Sequence, residues 1–404
     1  MRTLFLLIAC SVGASAQVAT SFSPYATPFV PFSAEAQAVG EAGAFGQTSD
    51  PLRMLDNPAV LADFAGGVSI SGDRIPDWLS VGSVSTRAFA MAGGVRSSIA
   101  GMPASVGAGL TYGSFDASPY PVTEVDLLTL TVVDGEEFDP GRDETVALGL
   151  GAAVDGPVRV RAGASLRRYS SAEFHRARAG SERAKALTAD LGVDVTAPLG
   201  RWIMPTPDGG FRLVTDLSLG YALRGIGLSE SDLVFDPEVF GIGAFSGAVG
   251  RSPSAGLSLL VGFDAGLGTR WAFRGASVEF LTGAEARGAN VWGGISAENV
   301  LLGVGDEGDQ ILTRRGYRLA LAEVLTLSRG SMRGANFGER ASWGATVSAG
   351  GALRLAGMLG AGEALHPLGR RLDLRYAYAR FTFDGEGSPF GTTVAHGLTL
   401  RLTP

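Results

Sequence analysis

The residues that most often carry catalysis or bind metals are sparse and scattered in this 404-residue chain. The three histidines, His175, His366 and His396, are far apart and lack the spacing of a metal site. Cys10 is the single cysteine, and the chain has neither a G-x-S-x-G elbow nor a G-x-x-x-x-G-K-[ST] phosphate loop. The sequence therefore predicts no catalytic residue, no metal site and no cofactor.

Carboxylates crowd the segment 134–144, where they offer the oxygen ligands that Ca²⁺ prefers. Their spacing does not match an EF-hand loop, which favours a solvated acidic loop. Arginines follow around 168–185, and guanidinium groups bind phosphate through two parallel hydrogen bonds. Two interpretations remain for them, a solvated loop or contacts to lipopolysaccharide phosphates by Arg168, Arg176, Arg178 and Arg183.

The segment 226–252 is too apolar to lie open in water as an ordinary loop. It either folds over its own barrel as a cap or forms an entry site for an apolar ligand or a partner. The residues that would form such a site are Leu233, Val234, Phe235, Val239, Phe240 and Phe245.

Apolar and polar residues alternate with a period of two along most of the chain, which is the pattern of β-strands. The loops described above are therefore expected to connect strands. In 157–167, for example, Val160 and Leu166 share one face, and Arg161 lies on the other. Mean hydropathy is +0.21 and charged residues make up 18%, yet no apolar run after residue 16 approaches the ~20 residues of a spanning helix. The pattern predicts an all-β protein, a transmembrane antiparallel β-barrel with lipid outside and a polar lumen.

Residues 1–16 read as a signal peptide, with Arg2, a short apolar core and an Ala14-Ser15-Ala16 cleavage site. A lipoprotein signal ending at Cys10 is the alternative. Cleavage at Ala16 would leave a mature chain without cysteine. The net charge of −7 disfavours nucleic-acid binding, and no basic stripe interleaved with aromatic residues is present.

The barrel is expected to span 65–404 with about 14 strands, within a range of 14 to 16, and an even number is favoured. The candidate segments are 66–72, 79–86, 88–97, 104–113, 123–132, 144–154, 157–168, 186–197, 210–224, 254–264, 270–283, 291–300, 316–328, 342–354, 371–382 and 392–403. Short and long connections alternate between them, as in bacterial barrels, which predicts an outer-membrane location with both termini in the periplasm.

Residues 17–64 differ from the rest of the chain, because they are rich in proline and small residues and show little alternation. We expect a plug or hatch segment with a short helix near Ala34–Val39. Within it, Pro58 favours an extended Asn57, whose side chain can stabilise the turn. Asn57-Pro58-Ala59 is then either a simple turn or an anchor of the plug.

Residues 39–62 resemble the N-terminal segment of outer-membrane barrels related to the fatty-acid transporter FadL, and more closely its PorV/PorQ branch. The matching residues are Gly40, Gly43, Ala44, Phe45, Asp50, Asp56, Asn57, Pro58 and Ala59. The segments 372–381 and 391–400 resemble the end of that branch. Two departures are Val60-Leu61, where family members carry small residues, and the Thr403-Pro404 terminus, where barrels commonly end in an aromatic residue.

The resemblance implies a non-enzymatic role at the outer membrane, in contact with lipid and lipopolysaccharide. The PorV-type relatives imply protein secretion by the type IX system or surface-protein handling, with a secreted protein as cargo. The FadL-type relatives imply passive transport of apolar small molecules such as fatty acids. A structural surface barrel without cargo is the third alternative.

Overall fold

A computed structural model describes residues 32–46, 48–76, 84–117, 120–126, 131–138, 141–171, 184–203, 212–228, 251–266, 272–286, 295–302, 311–334, 338–362, 364–384 and 392–404. The signal peptide 1–16, most of the apolar segment 226–252, and Arg176, Arg178 and Arg183 lie outside these residues.

Fourteen strands form one closed antiparallel barrel, which confirms the predicted fold class. They are β1 Gly67–Ile75, β2 Val84–Ile99, β3 Met102–Ala117, β6 Gly141–Asp155, β7 Arg159–Ser171, β8 Ala184–Ala197, β9 Arg212–Gly227, β10 Ser252–Gly266, β11 Ala272–Ala286, β12 Ile311–Leu321, β13 Leu325–Gly334, β14 Gly338–Ser348, β15 Leu372–Asp384 and β16 Thr392–Leu402. The barrel closes where β1 pairs with β16, from Val68 opposite Leu402 to Arg74 opposite His396.

A separate hairpin, β4 Tyr120–Asp126 and β5 Thr131–Phe138, leaves the barrel between β3 and β6. Short α-helices occupy Ala34–Ala38, Leu199–Ile203, Ala297–Leu302, Ala349–Met358 and Leu365–Arg371. The 3-10 helices are Ala42–Phe45, Pro51–Leu55 and Pro58–Phe64. No helix of the described residues is long and apolar enough to cross a bilayer.

Apolar side chains face outward and charged ones inward, the reverse of a water-soluble barrel. In β7, Leu166 is 52% exposed while Arg161 is 2% exposed. The same division holds across the sheet, with Leu148, Leu191 and Phe280 exposed and Asp190, Asp194 and Glu285 buried. Such a surface suits an apolar solvent around the barrel.

Several predicted strands were wrong in their bounds. The segment 316–328 is two strands, because the chain reverses at Ala322-Glu323, where both residues have positive φ. Neither residue is the glycine or asparagine that normally signals such a turn, so the sequence carries no mark of the break between the two strands. Conversely, 79–86 and 88–97 belong in part to one strand, β2, which continues through Arg87.

Two predicted strands contain helix instead. The segment 291–300 runs into the helix Ala297–Leu302, and 342–354 ends as a strand at Ser348. Ser348 caps the following helix, since its hydroxyl accepts a hydrogen bond from Gly351 N at 2.8 Å. The predicted strand 123–132 covers parts of the β4–β5 hairpin, outside the barrel sheet.

Candidate functional site

Residues 32–64, here called the lumen segment, lie inside the barrel. The helix Ala34–Ala38 contacts β13 to β16, and the 3-10 helix Ala42–Phe45 contacts β9 to β12. The 3-10 helices Pro51–Leu55 and Pro58–Phe64 together contact β1 to β3 and β6 to β8. The described part of this segment therefore reaches every strand of the barrel.

Glycines on the inner wall make room for the last turns of the lumen segment. Gly107, Gly151, Gly163 and Gly192 lie directly opposite one another on β3, β6, β7 and β8. A Cβ on Gly192 would overlap Asn57 Oδ1, and one on Gly163 would overlap the Pro58 carbonyl. A side chain at either position would therefore push the segment off the wall.

A second set of glycines receives the start of the lumen segment. The Phe45 ring lies over Gly220 and Gly256, which face each other on β9 and β10, and a Cβ on either would overlap it. Gly40 of the lumen segment makes a similar close approach to β13. It has φ +61°, and a Cβ there would lie 2.7 Å from Ser331 O. These close approaches account for a use of glycine that composition alone left unexplained.

Asn57 has the local conformation that its sequence context predicts. Its backbone is extended at φ −152° and ψ 107°, Pro58 follows in the first turn, and Oδ1 accepts from Ala59 N at 3.0 Å. The residue is fully buried between the lumen segment and β8. Asn57 thus caps the Pro58–Phe64 helix and at the same time occupies the space left by Gly192.

Inner-wall arginines pair with the carboxylates of the lumen segment. Asp63 accepts from Arg159 at 2.9 Å and also contacts Arg161. Glu41 pairs with Arg314 at 3.2 Å and with Arg340 at 3.1 Å. Glu35 lies 3.6 Å from Arg318, and Asp56 lies 3.7 Å from Arg224.

Wall carboxylates complete these pairs within the barrel. Asp194 lies 2.8 Å from Arg161, Asp190 lies 2.7 Å from Arg167, and Glu279 lies 3.1 Å from Arg318. Glu285 contacts both Arg224 and Arg314. Because these charges are buried, loss of one partner leaves another without compensation, which typically costs about 3–5 kcal/mol.

Asp50 fixes the middle of the lumen segment to β1. Its carboxylate accepts hydrogen bonds from Ser33 Oγ at 2.6 Å, Ser71 Oγ at 2.9 Å and Leu52 N at 2.9 Å. Burial raises the pKa of Asp50, and the nearby charge of Glu35 adds to the shift. Beside it, Asp73 of β1 accepts from Ala34 N at 2.6 Å.

An apolar cluster complements the ion pairs. Leu52, Met54, Leu61 and Phe64 of the lumen segment pack on small wall residues such as Ala90. Two cavities of about 280 and 430 Å³ flank the segment. They are lined by residues near the barrel end that carries the C terminus, among them Glu323 and Arg375 in one and Arg96 and Arg401 in the other.

The predicted motif residues all lie in the lumen segment, but at different parts of the wall: Gly40, Phe45, Asp56, Asn57, Pro58 and Ala59. Gly40 lies against β13 and Phe45 against β9 and β10, whereas Asn57 and Pro58 lie against β8 and β7. Gly43 lies in the same segment, within the Ala42–Phe45 helix. Arg168 is exposed on the outer face of β7, between Val146 and Leu187 of the neighbouring strands. The apolar residues Leu233, Val234, Phe235, Val239, Phe240 and Phe245 lie outside the described residues.

The wall arginines and glycines were missed as site residues. Their signal was present, since Arg161, Arg314, Arg318 and Arg340 fall on the polar face of their strands, opposite an apolar one. What the sequence could not indicate is their pairing, because Glu41 and Arg340 are 299 positions apart. Among the described residues, no three His, Cys, Asp or Glu side chains group as metal ligands do.

Comparison with known proteins leaves the family open. No protein-family model matches the chain, and no curated protein matches it. Similar solved structures include a Pseudomonas aeruginosa FadL homologue, at 10% identity and a TM-score of 0.38, covering 95% of this chain and 99% of that one. The Ralstonia pickettii toluene transporter TbuX has 13% identity and a TM-score of 0.40, covering 91% of this chain and 98% of that one.

The β domain of the Bordetella autotransporter BrkA is similar to the same degree. It has 12% identity and a TM-score of 0.39, covering 85% of this chain and 100% of that one. Identities and TM-scores this low assign no family, and barrels with differently described roles score alike. The chain is a closed fourteen-stranded barrel on the evidence of its own strand pairing, with its lumen segment in contact with every strand.

Proposed function

We propose that this protein is an outer-membrane barrel that passes small apolar molecules when its lumen segment moves. The observation that carries the proposal is the contact of the lumen segment with all fourteen strands. We infer that a segment held against every strand obstructs the axis of the barrel. Passage then requires the segment to shift against the wall, and the wall contacts set the cost of that shift.

The membrane location is supported by the outward apolar wall and the predicted signal peptide. Orientation is supported by the turns at the end that carries the C terminus. Two of them, Ala100-Gly101 and 322–324, are short, as periplasmic turns usually are. We place both termini in the periplasm.

The substrate class rests on the resemblance of residues 39–62 to FadL-type barrels, together with the apolar composition of 226–252. In this proposal, the segment 226–252 binds an apolar molecule at the outer face, and movement of the lumen segment lets the molecule pass through the barrel. The surrounding partners are outer-membrane lipid and lipopolysaccharide.

A second candidate is the handling of secreted or surface proteins, which the PorV/PorQ-type resemblance favours. The close fit of the lumen segment supports it, because a permanently closed barrel offers partners only its loops and outer wall. The two candidates differ in one property, the need for the segment to move.

An engineered disulfide tests that need. A Cβ on Gly220 would lie 3.1 Å from Phe45 Cβ, slightly less than the about 3.5–4.5 Å found in disulfides. A shift of a few tenths of an ångström, made possible by removal of the Phe45 ring, should therefore let Phe45→Cys with Gly220→Cys join segment and wall. Uptake of a fluorescent dodecanoate by cells carrying the oxidised variant should fall about tenfold and recover with reductant. The two single-cysteine variants are the matched controls.

Uptake that is unchanged by a complete cross-link would contradict a moving segment. Absence of protein-dependent uptake in any state would remove the transport proposal. Co-purification of exported proteins in stoichiometric amounts from native membranes would then favour the second candidate.

A further inference from the structure

The outer wall of β13 to β16, β1 and β2 carries arginines together with aromatic side chains. Its members are Arg74, Arg87, Arg329, Trp343, Tyr376, Tyr378, Arg380 and His396, here called the arginine–aromatic patch. All belong to outward positions, which alternate with buried residues such as Asp73, Ser342 and Ala395. The patch is contiguous, because each member lies beside another across a strand pair or along its strand.

The aromatic members stack on one another. The Trp343 and Tyr378 ring centroids are 5.4 Å apart, and those of Tyr378 and His396 are 5.8 Å apart. The Tyr376 hydroxyl lies 2.7 Å from His396 Nδ1. Amphipathic rings of this kind concentrate where a bilayer meets water, in the layer of lipid headgroups.

The arginines face neighbours that do not neutralise them. Arg74 lies directly opposite Arg87 on one side and His396 on the other. Trp343 lies directly opposite both Arg329 and Arg380. Like charges in such cross-strand positions are destabilising. An anion between Arg74 and Arg87 would replace this repulsion by attraction.

The cost of an outward arginine depends on its depth in the bilayer. It is about 2–4 kcal/mol at the midplane and about 0–1 kcal/mol near the interface. Arg74 directly precedes the last residue of β1, and Arg87 lies near the start of β2. Both residues are therefore at the barrel end opposite the C terminus. This places the Arg74–Arg87 pair toward the interface of the leaflet that we assign to the outside.

The opposite wall lacks such a cluster. On β6 to β8 the outward residues include Leu148, Leu150, Leu166 and Leu191, and Arg168 is flanked by Val146 and Leu187. Exposed outward arginines also lie at Arg142, Arg168, Arg315 and Arg333. The patch is therefore distinguished by its cluster of stacked aromatic rings among four arginines, and not by charge alone.

We infer that the arginine–aromatic patch binds the two phosphates of an anionic glycolipid of the lipid A class. Arg74–Arg87 takes one phosphate, and Arg329–Arg380 takes the other with Trp343 between them. β1 and β15 are two strand spacings apart, about 10 Å, which leaves room for a sugar between the two phosphates. The inference rests on the proposed membrane location and not on transport.

Native mass spectrometry of the full protein in phosphatidylcholine nanodiscs provides the test, with diphosphoryl lipid A as the probe. The wild type should retain one lipid A, in preference to phosphatidylglycerol. Arg74→Gln with Arg87→Gln, and separately Arg329→Gln with Arg380→Gln, should each weaken retention about tenfold, the effect of losing one charged hydrogen bond or more. Arg142→Gln is the matched control, because Arg142 is an exposed outward arginine of β6 that is already paired with Asp116, and its loss should leave retention unchanged.

Monophosphoryl lipid A has only one phosphate, so the wild-type protein should retain it as weakly as a double variant retains diphosphoryl lipid A. Only one of the two double variants should lower the retention of monophosphoryl lipid A further. Equal retention of lipid A and phosphatidylglycerol would overturn the assignment, as would wild-type retention in both double variants. Lysine replacements at the same positions keep the charge and show whether a loss arises from misfolding, because they should retain most of the binding.

Discussion

At the scale of single residues, the barrel accommodates its lumen segment by omitting side chains from the wall. Gly163 and Gly192 leave the space that Pro58 and Asn57 fill, and Gly220 and Gly256 leave the space for the Phe45 ring. Interiors are close-packed, so added atoms at such positions force movement of the neighbours. The fit between segment and wall is therefore sensitive to changes of a few atoms.

We expect Gly192→Val to displace the lumen segment, because the new side chain would occupy the position of Asn57 Oδ1. Proteolysis of residues 32–64 in detergent-solubilised protein should become much faster, while the barrel stays folded. Gly72→Val is the matched control, since Gly72 faces outward and its nearest atom, Ala88 O, is 3.9 Å from the new Cβ. Slow proteolysis of the Gly192 variant would contradict the described fit.

Asn57→Ala should have a smaller effect than the glycine change. It removes the cap of the Pro58–Phe64 helix, a loss of about 1 kcal/mol, and leaves the wall contacts of Pro58 in place. The segment should stay protected from protease, with a modest rise in cleavage rate. Cleavage as fast as in Gly192→Val would instead assign Asn57 the anchoring role.

At the scale of elements, buried ion pairs join the lumen segment to strands distant in sequence. Asp63 meets Arg161 of β7, and Glu41 meets Arg314 of β12 and Arg340 of β14. Asp63 lies in the Pro58–Phe64 helix and Glu41 directly precedes the Ala42–Phe45 helix, and their arginines lie within the first four residues of their strands. These short helices are therefore positioned by charge as well as by shape. A shift of the segment must break or exchange these pairs.

Arg161→Gln should destabilise the docked segment by about 3–5 kcal/mol, because Asp63 and Asp194 would lose a common buried partner. Arg212→Gln is the control, since the Arg212–Asp264 pair is more exposed and is worth about 0–1 kcal/mol. Protease protection of residues 32–64 across a urea series measures both. Equal effects of the two variants on protease protection would show that burial of the Arg161 ion pairs does not determine how strongly they hold the lumen segment.

The alternation of residues predicted most strands within a few positions, because the inner and outer walls differ so strongly in polarity. It failed where the backbone changes direction without glycine or proline, as at Ala322-Glu323, and where a strand continues into helix at Ser348. The N-terminal motif was recognisable as a compact segment. Its wall partners were not, because strand register and barrel closure decide which arginine meets Asp63 or Glu41.

At the scale of the whole molecule, the outer and inner walls of the barrel differ in polarity. The outer wall is mostly apolar, with exposed arginines in the arginine–aromatic patch and at a few other positions such as Arg168. The inner wall is charged and is neutralised by carboxylates of the wall and of the lumen segment. The barrel and its segment thus depend on each other, since the inner-wall arginines have their carboxylate partners in both. We expect the protein to fractionate with outer membranes and to resist extraction by carbonate.

We propose that residues 32–64 close a barrel that would otherwise conduct. The most direct measurement is the ion conductance of the purified protein in a planar bilayer, compared with a variant lacking residues 17–64. The full chain should be closed or show rare openings, and the deletion variant should show a steady conductance with folded-barrel mobility on gels. A closed deletion variant that keeps its barrel fold, or a full chain with steady conductance, would contradict the account.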